Sequence, residues 1–250
     1  MKKLATLAVI TIGLIWLTGC ATNTSVQEAV DNPARSETDT ALDEKRKPAE
    51  VLTFFRIKPG MKVLDIFAGG GYYAEMLSYV VGETGSVTLY NNNPWDNFVN
   101  KQVADRLKDN RLPNVNALTL EPAELDTVDG QYDAAIFVLG MHDLYYEDSD
   151  NGWPAIDVSG FLQQIHRLIK PGGTLGIIDH NAAAGTDAAV VGKSLHRVDP
   201  ARVIADLESA GFVLEKKSGI LANPDDDHTM LVFDASMRWQ SDRSVLRFKK

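Results

Sequence analysis

The apolar positions of this chain change their spacing along its length. They crowd into one block over residues 4–17, include few large side chains between residues 21 and 45, and from Pro48 onward alternate between two patterns. Short β-rich runs predict strands over residues 61–67, 86–90, 114–120, 132–139 and 174–179. Between them, stripes at helical spacing predict helices. Val51, Leu52 and Phe55 share one face after Pro48, and Tyr73, Met76, Leu77 and Val80 share another. Further helices are expected over 95–107, 158–169 and 200–210, the last stopped by Gly211. Residues 212–217 and 229–234, joined through Asn223-Pro224-Asp225-Asp226, read as a closing antiparallel hairpin. Strands separated by helices require crossovers, so the expectation is an α/β domain with a mainly parallel sheet covered on both faces.

The first block has its own meaning. Met1-Lys2-Lys3 is a basic start, and the apolar run over residues 4–17 would span about 21 Å as a helix. That is short of the roughly 30 Å hydrocarbon core, so an export signal over 1–19 is expected rather than a membrane span. The run ends Leu17-Thr18-Gly19-Cys20, which resembles the bacterial lipoprotein processing box. The resemblance implies a lipidated Cys20 as the new N-terminus. Ala21 in place of aspartate implies an outer-membrane, periplasm-facing address. Residues 20–45, rich in Thr, Ser, Asn, Asp and Glu, are expected to be a flexible tether. The folded domain is expected over 46–234, and residues 235–250, with Arg238, Arg243, Arg247, Lys249 and Lys250 against Asp242, as a basic solvated tail.

Charge and cysteine count narrow the function. The formal charge is −9, and removal of Lys2 and Lys3 with the leader would deepen it. Nucleic acid is excluded as the main partner, because phosphate recognition needs a basic footprint. Membrane association is expected through the lipid anchor alone. One cysteine allows neither an intramolecular disulfide nor a multi-cysteine zinc site, and no metal is expected.

The strongest chemical signal is Val63-Leu64-Asp65-Ile66-Phe67-Ala68-Gly69-Gly70-Gly71-Tyr72-Tyr73-Ala74. A strand runs through three glycines into a helix, the arrangement that lets backbone approach a ligand. As a bare pattern, Gly69-x-Gly71-x-x-Ala74 satisfies the dinucleotide fingerprint. That fingerprint also wants an acid about 20 residues on, where this chain has Asn91-Asn92-Asn93. Asp65 favours a different ligand, one with a cationic amino-acid part. Here the chain resembles the class I S-adenosylmethionine-dependent methyltransferases, whose first motif is an acid, two residues, then a small-residue run ending Gly-x-Gly. Tyr132-Asp133 before one strand and Lys170-Pro171-Gly172-Gly173 before the next extend the likeness, as does the closing strand pair.

The resemblance implies a Rossmann-like, doubly wound seven-stranded sheet with a C-terminal antiparallel hairpin, S-adenosylmethionine as cofactor, and a small-molecule acceptor. It also implies cofactor contacts from Asp65, Ala68, Gly69, Gly70 and Gly71, and from Glu121 at the adenine. Asn91 and Asn92 must stand in for the acid that usually grips the ribose, so weaker binding is expected. Phe67 occupies a position where the family usually has glycine; its ring must pack away from the cofactor or take part of its space.

Two His–Asp pairs, Met141-His142-Asp143 and Ile178-Asp179-His180, fall at neighbouring strand ends and should face one crevice. His142 is the first candidate for a base or acceptor-orienting group, with Asp143 setting its tautomer and Tyr145 or Tyr146 lining the acceptor pocket. His180 is second. His196 lies in a long loop over residues 181–199 that could cover the site. An export leader on a fold that uses a cytosolic cofactor leaves two alternatives open: a periplasmic small-molecule-binding protein keeping the fold, or an envelope interaction module.

Overall fold

The computed structural model describes residues 25–250; the leader, Cys20 and Ala21 lie outside the described residues. In chain order the elements begin with α1 (Val26–Val30), α2 (Glu37–Thr40), α3 (Asp43–Arg46) and α4 (Pro48–Phe54). There follow β1 (Lys62–Ile66), α5 (Tyr72–Val81), β2 (Ser86–Asn91), α6 (Asn93–Leu107), β3 (Val115–Thr119) and β4 (Tyr132–Val138). The last are α7 (Val158–Leu168), β5 (Ile169–His180), α8 (Ala188–Leu195), α9 (Pro200–Ser209), β6 (Val213–Ser218) and β7 (Arg243–Lys249). Among the described residues no helix is long and apolar enough to cross a membrane.

The strands form one seven-stranded sheet in the order β3-β2-β1-β4-β5-β7-β6. β1 to β5 are parallel neighbours, and β7 runs antiparallel between β5 and β6. Each central strand alternates its side chains between two cores. Val63, Ala134 and Ile136 face α4 and α5, whereas Leu64, Ile66, Ala135 and Phe137 face α7 and α9. Burial on both faces is what makes these strands read as continuous apolar runs. The helices begin where side-chain caps supply acceptors for free amides: Asn92 for α6, Asp157 for α7, Asp187 for α8 and Asp199 for α9. The doubly wound α/β expectation holds.

Three expectations about the ends do not. The described part of the expected tether, residues 25–45, is short helices packed on the domain. Ala29 and Val30 are buried, Arg35 forms a two-bond pair with Asp43 at 2.6 and 2.8 Å, and Arg106 of α6 holds Asp39 at 2.7 Å. The segment is poor in large apolar groups, but pairing across to the domain orders it. The partner of β6 is β7, and residues 229–234 form no strand. The basic tail is an interior strand in which Val245, Leu246 and Phe248 are buried. Its arginines serve the fold: Arg243 donates to the Lys45 carbonyl, and Arg247 to Glu215 and the Phe54 carbonyl. Long basic side chains disguised the alternation of a buried strand.

Candidate active site

A cavity of about 700 Å³ opens at the carboxyl ends of β1 and β4 and beside that of β5. Phe67, Ala68, Gly69 and Gly70 line one part, Trp95 and Val99 of α6 another, and His142, Asp143, Tyr146 and His196 the far end. Asp39 and Leu42 from the N-terminal helices, with Phe233 and Trp239, close over it. A second hollow of about 360 Å³ at the β5–β7–β6 edge contains none of the candidate catalytic or cofactor residues.

The glycine loop is built by backbone constraint. Gly71 caps α5 at φ 83°, and a Cβ there would come within 2.8 Å of Leu89 and 3.0 Å of Arg106. Arg106 in turn donates to the Gly70 carbonyl at 2.5 Å and pairs with Glu75, which also pairs with Arg111. Asp65 sits behind this loop, outside the cavity lining and 2 % exposed. Burial lifts its carboxyl to about 8, against the opposing pull of the Ala74 amide and Arg106. Its Oδ2 has no hydrogen-bond partner among the described residues. An orphaned buried carboxylate oxygen beside a glycine loop fits a ligand with a cationic amino group.

Phe67 adopts φ 47°, a left-handed conformation natural to glycine. Its ring turns into the α7 side of the sheet, stacked on Phe161 with centroids 5.6 Å apart and edge-on to Phe137 at 5.4 Å. The ring therefore packs away from the loop, while the residue still edges the cavity.

The asparagines expected at the ribose have structural tasks within the chain. Asn91 accepts from the Gly69 amide at 3.0 Å and donates to the Gly69 carbonyl at 3.1 Å, so it clamps the loop. Asn92 caps α6 through the Trp95 amide at 3.1 Å, and its buried Nδ2 is unpartnered among the described residues. Glu121 accepts from the Asn93 amide at 3.1 Å and opens a 3-10 turn, away from the cavity.

At the other end, two strand ends do converge. His142 follows β4 and is buried; its Nδ1 lies 2.8 Å from Asp179 Oδ1 at the end of β5, and its amide donates to Asp179 Oδ2 at 2.9 Å. Asp179, not Asp143, therefore sets the orientation of His142. Asp143 faces the opposite ring nitrogen, 3.3 Å from His142 Nε2, and accepts from Tyr146 Oη at 3.2 Å. Burial alone would lower the His142 pKa, but the two carboxylates outweigh it and push it to about 9. Burial raises Asp143 to about 6 against the pull of His142. His180 lines the cavity, with Nδ1 2.6 Å from Ser241 Oγ; burial drops it to about 3 and keeps it neutral. Tyr145 is no part of the pocket. Its hydroxyl donates to Asp206 at 2.9 Å, and Tyr146 lines the cavity instead.

Some site residues carry little local signal. His196 ends α8 in a left-handed conformation, φ 53°, with Nδ1 3.3 Å from His142 Nε2. Arg197 beside it is wholly buried, paired with Asp226 at 2.8 and 3.1 Å and donating to the Met230 and Asn181 carbonyls. That anchor pins the segment carrying Val232 and Phe233 over the cavity. Trp153 donates to the Asp143 carbonyl at 3.1 Å. A helical period inside residues 181–199 was the available clue to α8.

Comparison with known proteins agrees with this fold. Residues 24–117 match the family model for protein-L-isoaspartate(D-aspartate) O-methyltransferase. The ubiquinone/menaquinone biosynthesis C-methyltransferase UbiE of Shewanella piezotolerans is 28% identical over 191 residues, covering 76% of this chain and 64% of that protein. The chain thus spans under two thirds of the length of this relative. A SAM-dependent methyltransferase from Aquifex aeolicus superposes with a TM-score of 0.56 at 22% identity, covering 85% of this chain and 94% of the other. Aeropyrum pernix fibrillarin, solved with natively bound S-adenosyl-L-methionine, gives a TM-score of 0.50 at 12% identity, covering 77% and 67%. The chain has the fold of these methyltransferases.

Proposed function

We propose that this chain is an S-adenosylmethionine-dependent methyltransferase acting on a small, largely apolar acceptor. The observation that carries the reading is the placement of one cavity at the carboxyl ends of the strands. A glycine loop backed by the orphaned Asp65 borders one side, and the His142 cluster the other. S-adenosylmethionine is the cofactor and supplies an activated methyl group on a sulfonium. Asp65 would attract its amino group from behind the loop, whose backbone from Ala68 to Gly71 would face the ligand.

The rest of the work is positioning and exclusion of water. Trp95, Phe98, Tyr146, Trp153, Phe233 and Trp239 give the cavity an aromatic lining, which suits a ring-bearing or apolar acceptor. UbiE, one of the relatives, is a C-methyltransferase of ubiquinone and menaquinone biosynthesis. The buried Asp179 holds His142 at the far end of the cavity, where an acceptor's polar atom can be oriented. Export through the leader and lipidation at Cys20 belong to the same proposal and place the activity at a membrane facing the periplasm.

Titration calorimetry of the purified protein with S-adenosylmethionine and S-adenosylhomocysteine tests the reading. Binding of both at micromolar concentrations is the expected result. Failure of both to bind below millimolar concentration overturns it in favour of a binding protein for another small molecule.

A further inference from the structure

His142, Asp143 and His196 present three ligand-type atoms to one point on the cavity wall. His142 Nε2 lies 3.3 Å from Asp143 Oδ1 and 3.3 Å from His196 Nδ1. The remaining edge, His196 Nδ1 to Asp143 Oδ1, is 4.0 Å. Zinc bonds to nitrogen and oxygen ligands at about 2.0–2.2 Å, so two ligands of a tetrahedral ion stand roughly 3.3–3.5 Å apart. Two of the three edges already have that length, and a small turn of the His196 ring closes the third. We propose that His142, Asp143 and His196 form a binding site for a divalent transition-metal ion, zinc by geometry, with an open coordination position facing the cavity.

The surroundings are built for such a site. The other ring nitrogen of His142 is held by the buried carboxylate of Asp179, the carboxylate–histidine arrangement that orients a metal ligand. Tyr146 Oη fixes Asp143 Oδ1. His196 reaches the site because α8 packs directly on the turn carrying His142. At Gly192 a Cβ would stand 2.9 Å from the His142 carbonyl oxygen, so only glycine permits that approach. The left-handed backbone at His196 then swings its ring back toward the cavity. Asp179 and His180, the other metal-ligand types nearby, are engaged elsewhere: Asp179 with two His142 groups and its neighbour's amide, His180 with Ser241.

Two histidines and one carboxylate leave room for an exogenous ligand, as catalytic rather than structural sites do. The substrate class follows. A hydroxyl or thiol placed at the open position would have its pKa lowered and its proton released to solvent. The metal site stands on its own geometry, whereas its use on a methyl acceptor rests on the methyltransferase reading above.

The test is calorimetric titration of zinc into chelator-treated full-length protein, with cobalt absorption reporting the ligand geometry. One ion per chain at submicromolar Kd is expected, with tetrahedral cobalt bands. His196→Ala, at a partly exposed position that should leave the fold intact by thermal melting, is expected to weaken binding at least 100-fold. Asp179→Asn should weaken it about 10- to 100-fold. Binding weaker than about 10 µM, or unchanged by His196→Ala, overturns the site and leaves a hydrogen-bonded His–Asp–His cluster. Zinc failing while S-adenosylhomocysteine binds refutes only the metal. Zinc binding without nucleoside binding refutes the methyl-acceptor role.

Discussion

Replacing Asp65 by asparagine should make the protein more stable and less able to bind its cofactor. In the folded chain the Asp65 carboxyl is held near pKa 8, against 3.8 for an ordinary aspartate. The folded state therefore keeps a proton that the unfolded state loses. Stability contributed by the protonated group is complete below pH 4 and drains away as pH rises toward 8, at about 1.4 kcal/mol per pH unit. By pH 7 the loss is roughly 4 kcal/mol. Asparagine, of nearly the same shape, cannot ionise and escapes this loss. Urea unfolding of both proteins at pH 5 and pH 8 isolates the effect: the stability advantage of Asp65→Asn should be several kcal/mol larger at pH 8. Titration with S-adenosylhomocysteine should show the reverse ordering, an affinity at least tenfold lower, because an amide, unlike the carboxyl, cannot lose a proton to pair with the ligand's ammonium. An advantage independent of pH would refute the burial argument. Unaltered affinity would refute the role of Asp65 in the cofactor site.

Phe67→Ala should cost about 3–4 kcal/mol from the lost aromatic packing, while Phe67→Gly, free at φ 47°, should be about 1 kcal/mol more stable than the alanine variant; chemical denaturation of the two decides whether the left-handed backbone is strained. Asn91→Asp restores an acid at the second strand end but aims it at the Gly69 carbonyl, 3.1 Å from the present amide nitrogen. Calorimetry should show weaker, not tighter, binding of S-adenosylhomocysteine, by about tenfold. Asp226→Ala strands the fully buried Arg197, and an equilibrium unfolding loss of roughly 3–5 kcal/mol is expected.

The order of β1 to β5 with their intervening helices was legible in the sequence because those strands are buried on both faces. Unbroken apolar runs and glycine punctuation are local signals. The glycine loop was equally plain, since only small residues tolerate its backbone. The convergence of His142 and Asp179 followed from strand order, once parallel strands were accepted to end on one side. What escaped were arrangements made by partners distant in the chain. Arg243 and Arg247 read as a basic tail until Lys45, Phe54 and Glu215 are seen to receive them. Residues 25–45 read as part of a tether until Asp39 meets Arg106 and the buried Arg35 pairs with Asp43.

The same distinction separates the two halves of the site. The sequence alone determined a doubly wound α/β domain with a ligand loop after its first strand, because those features are encoded over a few consecutive residues. Only the tertiary structure decided that Asn91 clamps that loop, that Asp179 rather than Asp143 orients His142, and that His196 joins them. Each of those roles depends on hydrogen-bond distances between segments at least 22 residues apart, and such distances exist only after the chain has packed.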